Sequence, residues 1–314
     1  MSSIRQLLGT PILLRRLALA SLLANIGIVV TGGAVRLTGS GLGCPTWPRC
    51  TDTSYVTTPQ MGAHGVIEFG NRTLTGVVGA LAVACVLAAL CQRPVRRPLV
   101  TWSALVLAGI PAQAVIGGVT VLTNLNPWVV GCHFLASMAV IAAAYQLWVR
   151  AGERPASSAS PGLGRPLTVL VRLVVATAAL VLVVGTVVTG SGPHAGDAGA
   201  KRTGLDPQEV AQLHADLVFL LLGLSVALWF ALTAVGAPRT AAAALIGVEL
   251  AQGLIGFVQY FTHLPVIGVG LHMLGACVVW VAALAVLEGA RARAAPAPTA
   301  REAPTAADAL ITLS

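Results

Sequence analysis

T-G-G-A-V-R-L-T-G-S-G-L-G-C-P-T-W-P-R-C, residues Thr31 to Cys50, is where an apolar run ends in a glycine-rich loop bearing an arginine and two cysteines. The run behind it, roughly 16–37, is long enough to cross a hydrocarbon core. A shorter echo, V-V-T-G-S-G, returns at Val187 to Gly192 after a second apolar run. The same helix end thus occurs twice, which raises the question of whether the rest of the chain is duplicated as well.

Composition fixes the class. Hydrophobic residues make up 56% of the 314-residue chain and charged ones 10%, outside the range of a soluble domain. Further runs of about 20 apolar residues fall near 71–91, 99–122, 128–149, 167–190, 211–234, 240–262 and 266–289. The chain therefore reads as an all-α polytopic membrane protein with eight transmembrane helices. No short segments alternate with period two, which excludes a membrane barrel and leaves helices to satisfy the backbone in lipid.

A net charge of +8 would suit nucleic acid, but the basic residues are sorted by loop instead. With the N-terminus inside, fourteen Lys and Arg lie on the inner side and five, Arg36, Arg49, Arg72, Lys201 and Arg202, on the outer. That bias places both termini in the cytoplasm of a multi-pass cell-membrane protein, with the bilayer and no nucleic acid as its partner. The first run is kept as a membrane helix, since it is long for a signal core and no small-residue cleavage site follows it.

In the outer loop after helix 1, Cys44 and Cys50 stand six positions apart in a proline-containing turn on the oxidising side, and can close a small disulfide. A structural staple and a redox pair are both open; zinc is disfavoured, because no second ligand pair accompanies them. Thr58-Pro59 marks a helix start. In the following Q-M-G-A-H-G-V-I-E-F-G-N-R, His64, Glu68, Asn71 and Arg72 fall at i, i+4, i+7 and i+8, on one helical face. Ionisable groups at that depth point to a partner or a cavity, the plainer alternative being a Glu68–Arg72 ion pair.

The second half repeats the plan of the first. Thr189-Gly190-Ser191-Gly192 matches Thr38-Gly39-Ser40-Gly41, and Gln252 and Gly256 match Gln113 and Gly117. Gln113 precedes His133 by 20 residues, and Gln252 precedes His272 by the same 20. This predicts a duplicated four-helix unit, and an even number of spans per unit makes the repeat parallel: two four-helix bundles related by an axis near the membrane normal. The expected layout is an N-terminal half over 1–150 with the outer cysteine loop, and a Gly/Pro/Ser-rich cytoplasmic linker over 151–166. A C-terminal half follows over 167–290, then a disordered cytoplasmic tail over 291–314.

All six histidines fall on the outer side or at outer helix ends. His214 and His272 start helices 6 and 8 at equivalent depth, and two helices each presenting an imidazole into a bundle are a standard way of holding a haem. Gly270 and Gly275 leave room for a flat ring near His272, and with no C-x-x-C-H such a haem is held non-covalently. His133 is the first-half counterpart of His272, but the counterpart of His214 is Asn71, with His64 two turns away as the nearby substitute. His194 and His263 read as loop residues, His263 aligning with Asn124. Cys85, Cys91, Cys132 and Cys277 read as small apolar side chains within helices.

These motifs resemble the haem A synthase family, in an actinobacterial-like variant. The resemblance covers residues 15 to 290 and rests on G-G-A-V-R-L-T-G-S-G-L, C-P-T-W-P-R-C, I-E-F-G-N-R at 67–72, and the two Gln-to-His units. It implies a membrane oxidoreductase that oxidises a ring methyl of haem O to a formyl group, making haem A for terminal oxidases. It implies haem b in the C-terminal half with His214 and His272 as axial ligands, and substrate haem O in the first half at His133 near Glu68. Family members commonly carry a histidine where this chain has Asn71, which leaves His64 or a one-ligand mode for the substrate. Many relatives also have a cysteine pair in the loop after helix 5, which this chain lacks.

On the same resemblance, Glu68 is the expected acid/base group or a carboxylate stabilising a cationic intermediate. Arg36 and Arg72 are expected to hold haem propionates, and Cys44 and Cys50 to act near the substrate edge if they cycle. The implied partners are a haem O synthase that supplies the substrate, the assembly route of cytochrome oxidase, and an unknown electron acceptor. Two other classes compete. A dihaem b-type electron carrier would leave its haems unmodified, but would want ligands at both membrane depths. A transporter would need broken helices and a charged midplane site.

Overall fold

Most helix starts and half of the helix ends follow local chemistry. A computed structural model describes residues 9–153 and 162–294. Its helices are α1 (Pro11–Leu37), α2 (Gly62–Cys91), entered through a single 3-10 turn at Pro59–Met61, α3 (Arg97–Leu122) and α4 (Pro127–Gly152). They are followed by α5 (Arg165–Ser191), α6 (Pro207–Ala234), α7 (Thr240–Phe261) and α8 (Val266–Ala294). All eight are long and apolar enough to cross a membrane, and no strand occurs among the described residues.

Proline occupies the first or second position of α1, α3, α4, α5 and α6, where its missing N–H costs nothing. Asn126 and Asp206 cap α4 and α6, accepting from Trp128 N at 3.0 Å and Gln208 N at 2.7 Å. Four helices, α1, α3, α6 and α7, end the same way. After α1, Gly39 at φ 68° lets Ser40 N reach Val35 O and Gly39 N reach Arg36 O, the paired closure of a left-handed helix cap. Asn124 closes α3 and His263 closes α7 with the corresponding bonds, at φ 49° and 60°. These two caps are 139 residues apart (263 − 124), the offset that also relates Gln113 to Gln252.

Within each half the helices pack in a closed order: α1 on α2, α2 on α3, α3 on α4 and α4 back on α1, then α5 on α6, α6 on α7, α7 on α8 and α8 back on α5. The halves meet where α4 packs on α5 and where α8 packs on α1 and α4. A core of Leu22, Val106, Met138, Ile141, Leu182, Cys277 and Leu284 crosses that junction, and a separate core fills the second half around Val174, Leu228 and Leu245. Large apolar side chains such as Leu87, Phe219, Phe230 and Phe257 are exposed on the outside of the helices, the surface that lipid covers in a membrane protein.

One expected boundary holds and one moves. Helix 2 begins next to the start marked by Thr58-Pro59, nine residues before its apolar run, so His64, Glu68, Asn71 and Arg72 all lie within it. Helix 8 runs on to Ala294, four residues into the expected tail. Residues 295–314 of that tail and 154–161 of the expected linker lie outside the described residues.

Candidate functional site

The helices α2, α4, α6 and α8 carry Asn71, His133, His214 and His272 between about one and a half and two and a half turns from their starts. Each lies against a glycine of the preceding helix. A Cβ on Gly117 of α3 would come within 3.2 Å of His133 Cε1, one on Gly185 of α5 within 3.2 Å of His214 Cε1, and one on Gly256 of α7 within 3.3 Å of His272 Cε1. On Gly32 of α1 it would lie 3.8 Å from Asn71 Nδ2. The glycines are therefore notches that seat the rings. Both glutamines hold the same partner from the same offset: Gln252 Nε2 donates to His272 O at 2.8 Å and Gln113 Nε2 to His133 O at 3.4 Å.

In the second half, the His214 and His272 rings face each other with centroids 6.5 Å apart and planes at 67°. Two metal–nitrogen bonds of about 2 Å, plus roughly 1 Å from each nitrogen to its ring centre, sum to about 6 Å. His133 and His272 each keep a buried Nδ1 without a hydrogen-bond partner, unusual for a polar atom unless a ligand or water completes it. No cluster of three or more His, Cys, Asp or Glu forms among the described residues, so a bare ion would be under-coordinated. A haem brings four nitrogens of its own and needs only two axial imidazoles, and the His214–His272 pair fits one.

The first half differs. Asn71 Oδ1 accepts from Thr31 Oγ1 at 2.7 Å. His64 is exposed near the start of α2, with Nδ1 2.9 Å from Ser40 Oγ. It lies seven residues, about 10 Å of helix rise, away from Asn71. Cys44 and Cys50 form a disulfide, both fully buried, and the loop they close hangs on α2. Glu68 Oε2 accepts from Cys44 N, and Oε1 pairs with Arg72. Arg72 also donates to the carbonyls of Cys44 (3.0 Å), Thr46 (3.1 Å) and Arg49 (3.2 Å). Its donors are thus committed within the loop and to Glu68, the ion-pair alternative weighed from sequence. Trp47, at the tip, lies directly over Gly118 of α3, one residue from the notch that seats His133.

Arg36 reaches across to the second half, donating to Thr189 O at 2.7 Å and Pro193 O at 3.4 Å. It lines a cleft of ≈ 530 Å³ together with Arg202, His194 and Asp197. The first and second halves touch there through Gly41 N and Gly196 O at 2.8 Å, while His194 Nε2 lies 3.0 Å from Leu264 O. Sequence reasoning missed Arg202, which sits in a loop without a motif, and Trp47, whose partner is on another helix. The notch glycines could have been found: Gly117 and Gly256 each follow their glutamine by four residues.

Eight apolar helices with three imidazoles and an asparagine seated in glycine notches, beneath a disulfide-closed loop, define a multi-pass membrane protein with its polar machinery in one layer. The chain belongs to the family described as Cytochrome oxidase assembly protein (COX15-CtaA), which matches residues 15–198, more than half of its length. Among curated proteins it is 29% identical over 143 residues to Heme A synthase of Alkalihalophilus pseudofirmus, covering 44% of this chain and 48% of that one. It is 32% identical over 129 residues to Heme A synthase of Bacillus pumilus (40% of each chain), and 31% identical over 137 residues to that of Geobacillus thermodenitrificans (42% of each). The alignments span less than half of these relatives.

Proposed function

We propose that the chain is a haem A synthase, a membrane oxidoreductase that converts a ring methyl of haem O to a formyl group by successive hydroxylation and loss of water. The observation that carries this reading is the His214–His272 pair, spaced for one iron in one half, beside a first half that offers a single imidazole at the equivalent layer. Family membership and the names of the relatives support it. When bound between His214 and His272, a haem b would supply one-electron chemistry at a potential set by its ligands and burial.

The residues divide the remaining work. His133 ligates the substrate iron, and Asn71, already bonded to Thr31, leaves the other side weakly held, which suits a molecule that must depart as product. Glu68 has both oxygens occupied, so it serves as a fixed carboxylate that stabilises positive charge on the oxidised substrate. The Cys44–Cys50 disulfide shapes the loop that places Trp47 beside the His133 notch. Arg36, with Arg202, pairs with a propionate in this reading, supported by the cleft that both line.

The arrangement proposed is two parallel four-helix repeats, 1–150 and 167–290, in the cell membrane with both termini cytoplasmic and the haem sites outward. Haem O arrives from its synthase, haem A passes to cytochrome oxidase assembly, and electrons leave to an acceptor outside the chain. The test is to express the protein with a haem O supply, extract the bound haems and identify them by chromatography and mass. Haem A is the expected product. Only haem b and unmodified haem O on folded protein would overturn the enzyme reading in favour of a dihaem electron carrier.

A further inference from the structure

Glu249 of α7 is a carboxyl in the middle of a membrane-spanning helix, and its residue is 6% exposed. Its single hydrogen bond among the described residues comes from Ser225 Oγ of α6, at 2.8 Å to Oε1, and Oε2 is buried without a partner. Three residues on, about 4.5 Å of helix rise toward the His272 end, Gln252 donates to His272 O while its own Oε1 is buried and unpartnered. Two neighbouring buried acceptors therefore lack a donor, and an added proton on the carboxyl would supply one.

The acid belongs to one half only. The 139-residue offset that carries His133 to His272 carries Ile110 to Glu249 (249 − 110), and the 143-residue offset from Asn71 to His214 carries Ala82 to Ser225 (225 − 82). Ile110 and Ala82 lie in the apolar core of the first half. Both members of the buried pair are thus specific to the half that holds the paired imidazoles. Among the described side chains, the ionisable ones on the helices packed against α7 are Glu209, His214 and Asp216 on α6, and His272, Cys277, Glu288 and Arg291 on α8. On α7 itself they are Tyr260 and the capping Arg239. None of these pairs with Glu249 among the described residues, and the two arginines lie at the far, inner ends of their helices.

We propose that Glu249 is a proton-binding site of the second half, which takes up one proton as the haem between His214 and His272 takes up one electron. The proposal rests on the haem reading above. With ferric haem, the positive iron centre offsets an ionised carboxylate in the low-dielectric bundle. When one electron from the substrate methyl or an added chemical reductant neutralises that centre, the carboxylate is left as an unpaired buried charge and binds a proton, so charge is conserved within the half.

The test compares wild type with Glu249→Gln as haem-loaded protein. In wild type the haem midpoint potential should fall as pH rises, by up to about 59 mV for each tenfold drop in proton concentration, and the slope should flatten in the variant. Reduced-minus-oxidised infrared spectra of wild type should gain a carboxylic acid C=O band that Glu249→Gln lacks and Ser225→Ala shifts. An unchanged slope in Glu249→Gln overturns the proposal. If that variant does not fold, the wild-type and Ser225→Ala spectra decide alone, and absence of a Ser225-sensitive band overturns it. A wild-type protein with no b-type spectrum would instead sink the haem reading and this proposal with it.

Discussion

Asn71 is the residue at which the two halves part company. Its position carries His214 in the second half, yet the local setting is alike: a glycine of the preceding helix beside it and a histidine on the diagonal helix of the same ring. Restoring an imidazole here should turn a weak site into a strong one, because iron prefers that donor to an amide. Asn71→His, loaded with excess haem b, is expected to approach one additional bound haem per chain, read as haem-to-protein ratio by absorbance. The Thr31 hydroxyl loses its acceptor but keeps Ile28 O at 3.2 Å, so the fold should survive. An unchanged ratio would mean that the first half is not built around residues 71 and 133.

At the scale of elements, the α1–α2 loop is held less by its own backbone than by one turn of α2. Glu68 and Arg72, four residues apart, lie on the same helical face and together bind four loop groups: Cys44 N and three carbonyls. Arg72→Ala would strip donors from those carbonyls and leave Glu68 buried without its cation. A loss of about 3 kcal/mol is expected from such an unpaired charge. The readouts are a lower thermal midpoint and faster reduction of Cys44–Cys50 by a mild thiol, followed by mass spectrometry of alkylated protein. Arg72→Lys should fall between, since a compact ammonium with three N–H donors cannot span the four acceptors that the guanidinium reaches. If reduction proceeds at the wild-type rate in Arg72→Ala, the latch is not what protects the disulfide.

For the whole molecule, the halves are joined at both ends by different chemistry. The end bearing the histidines uses loop contacts: Arg36 on Thr189 and Pro193, and Gly41 on Gly196. At the other end, Glu288 of α8 accepts from Gln146 at 2.9 Å and pairs with Arg150 at 3.2 Å and Arg291 at 2.9 Å. Glu288→Ala removes the shared acceptor and should cost about 2 kcal/mol, seen as a lower unfolding temperature in detergent. Haem binding should be unchanged, because His272 lies 16 residues away, about 24 Å along the same helix. A loss of the b-type spectrum at unchanged stability would contradict that separation.

The sequence by itself determined what depends on local or periodic terms. Apolar run length set the eight spans, proline and glycine punctuation set the helix ends, and the 20-residue spacing from glutamine to histidine exposed the relation between α3–α4 and α7–α8. Those signals are carried by neighbours within a turn or two, so no folding had to be known to read them. What joins separate helices was decided by the tertiary structure alone. Glu68 could be an acid, an ion-pair partner or both until the loop was seen to place Cys44 N on it, and Arg72 could pair with Glu68 or hold a propionate until three loop carbonyls closed around it. His64 remained a possible substitute for Asn71 until its bond to Ser40 and its distance along α2 were fixed. Trp47 and Glu249 are visible in one dimension, inside C-P-T-W-P-R-C and the apolar run 240–262, but what they meet is not, because Gly118 and Ser225 lie on other segments and burial is set only when the bundle closes.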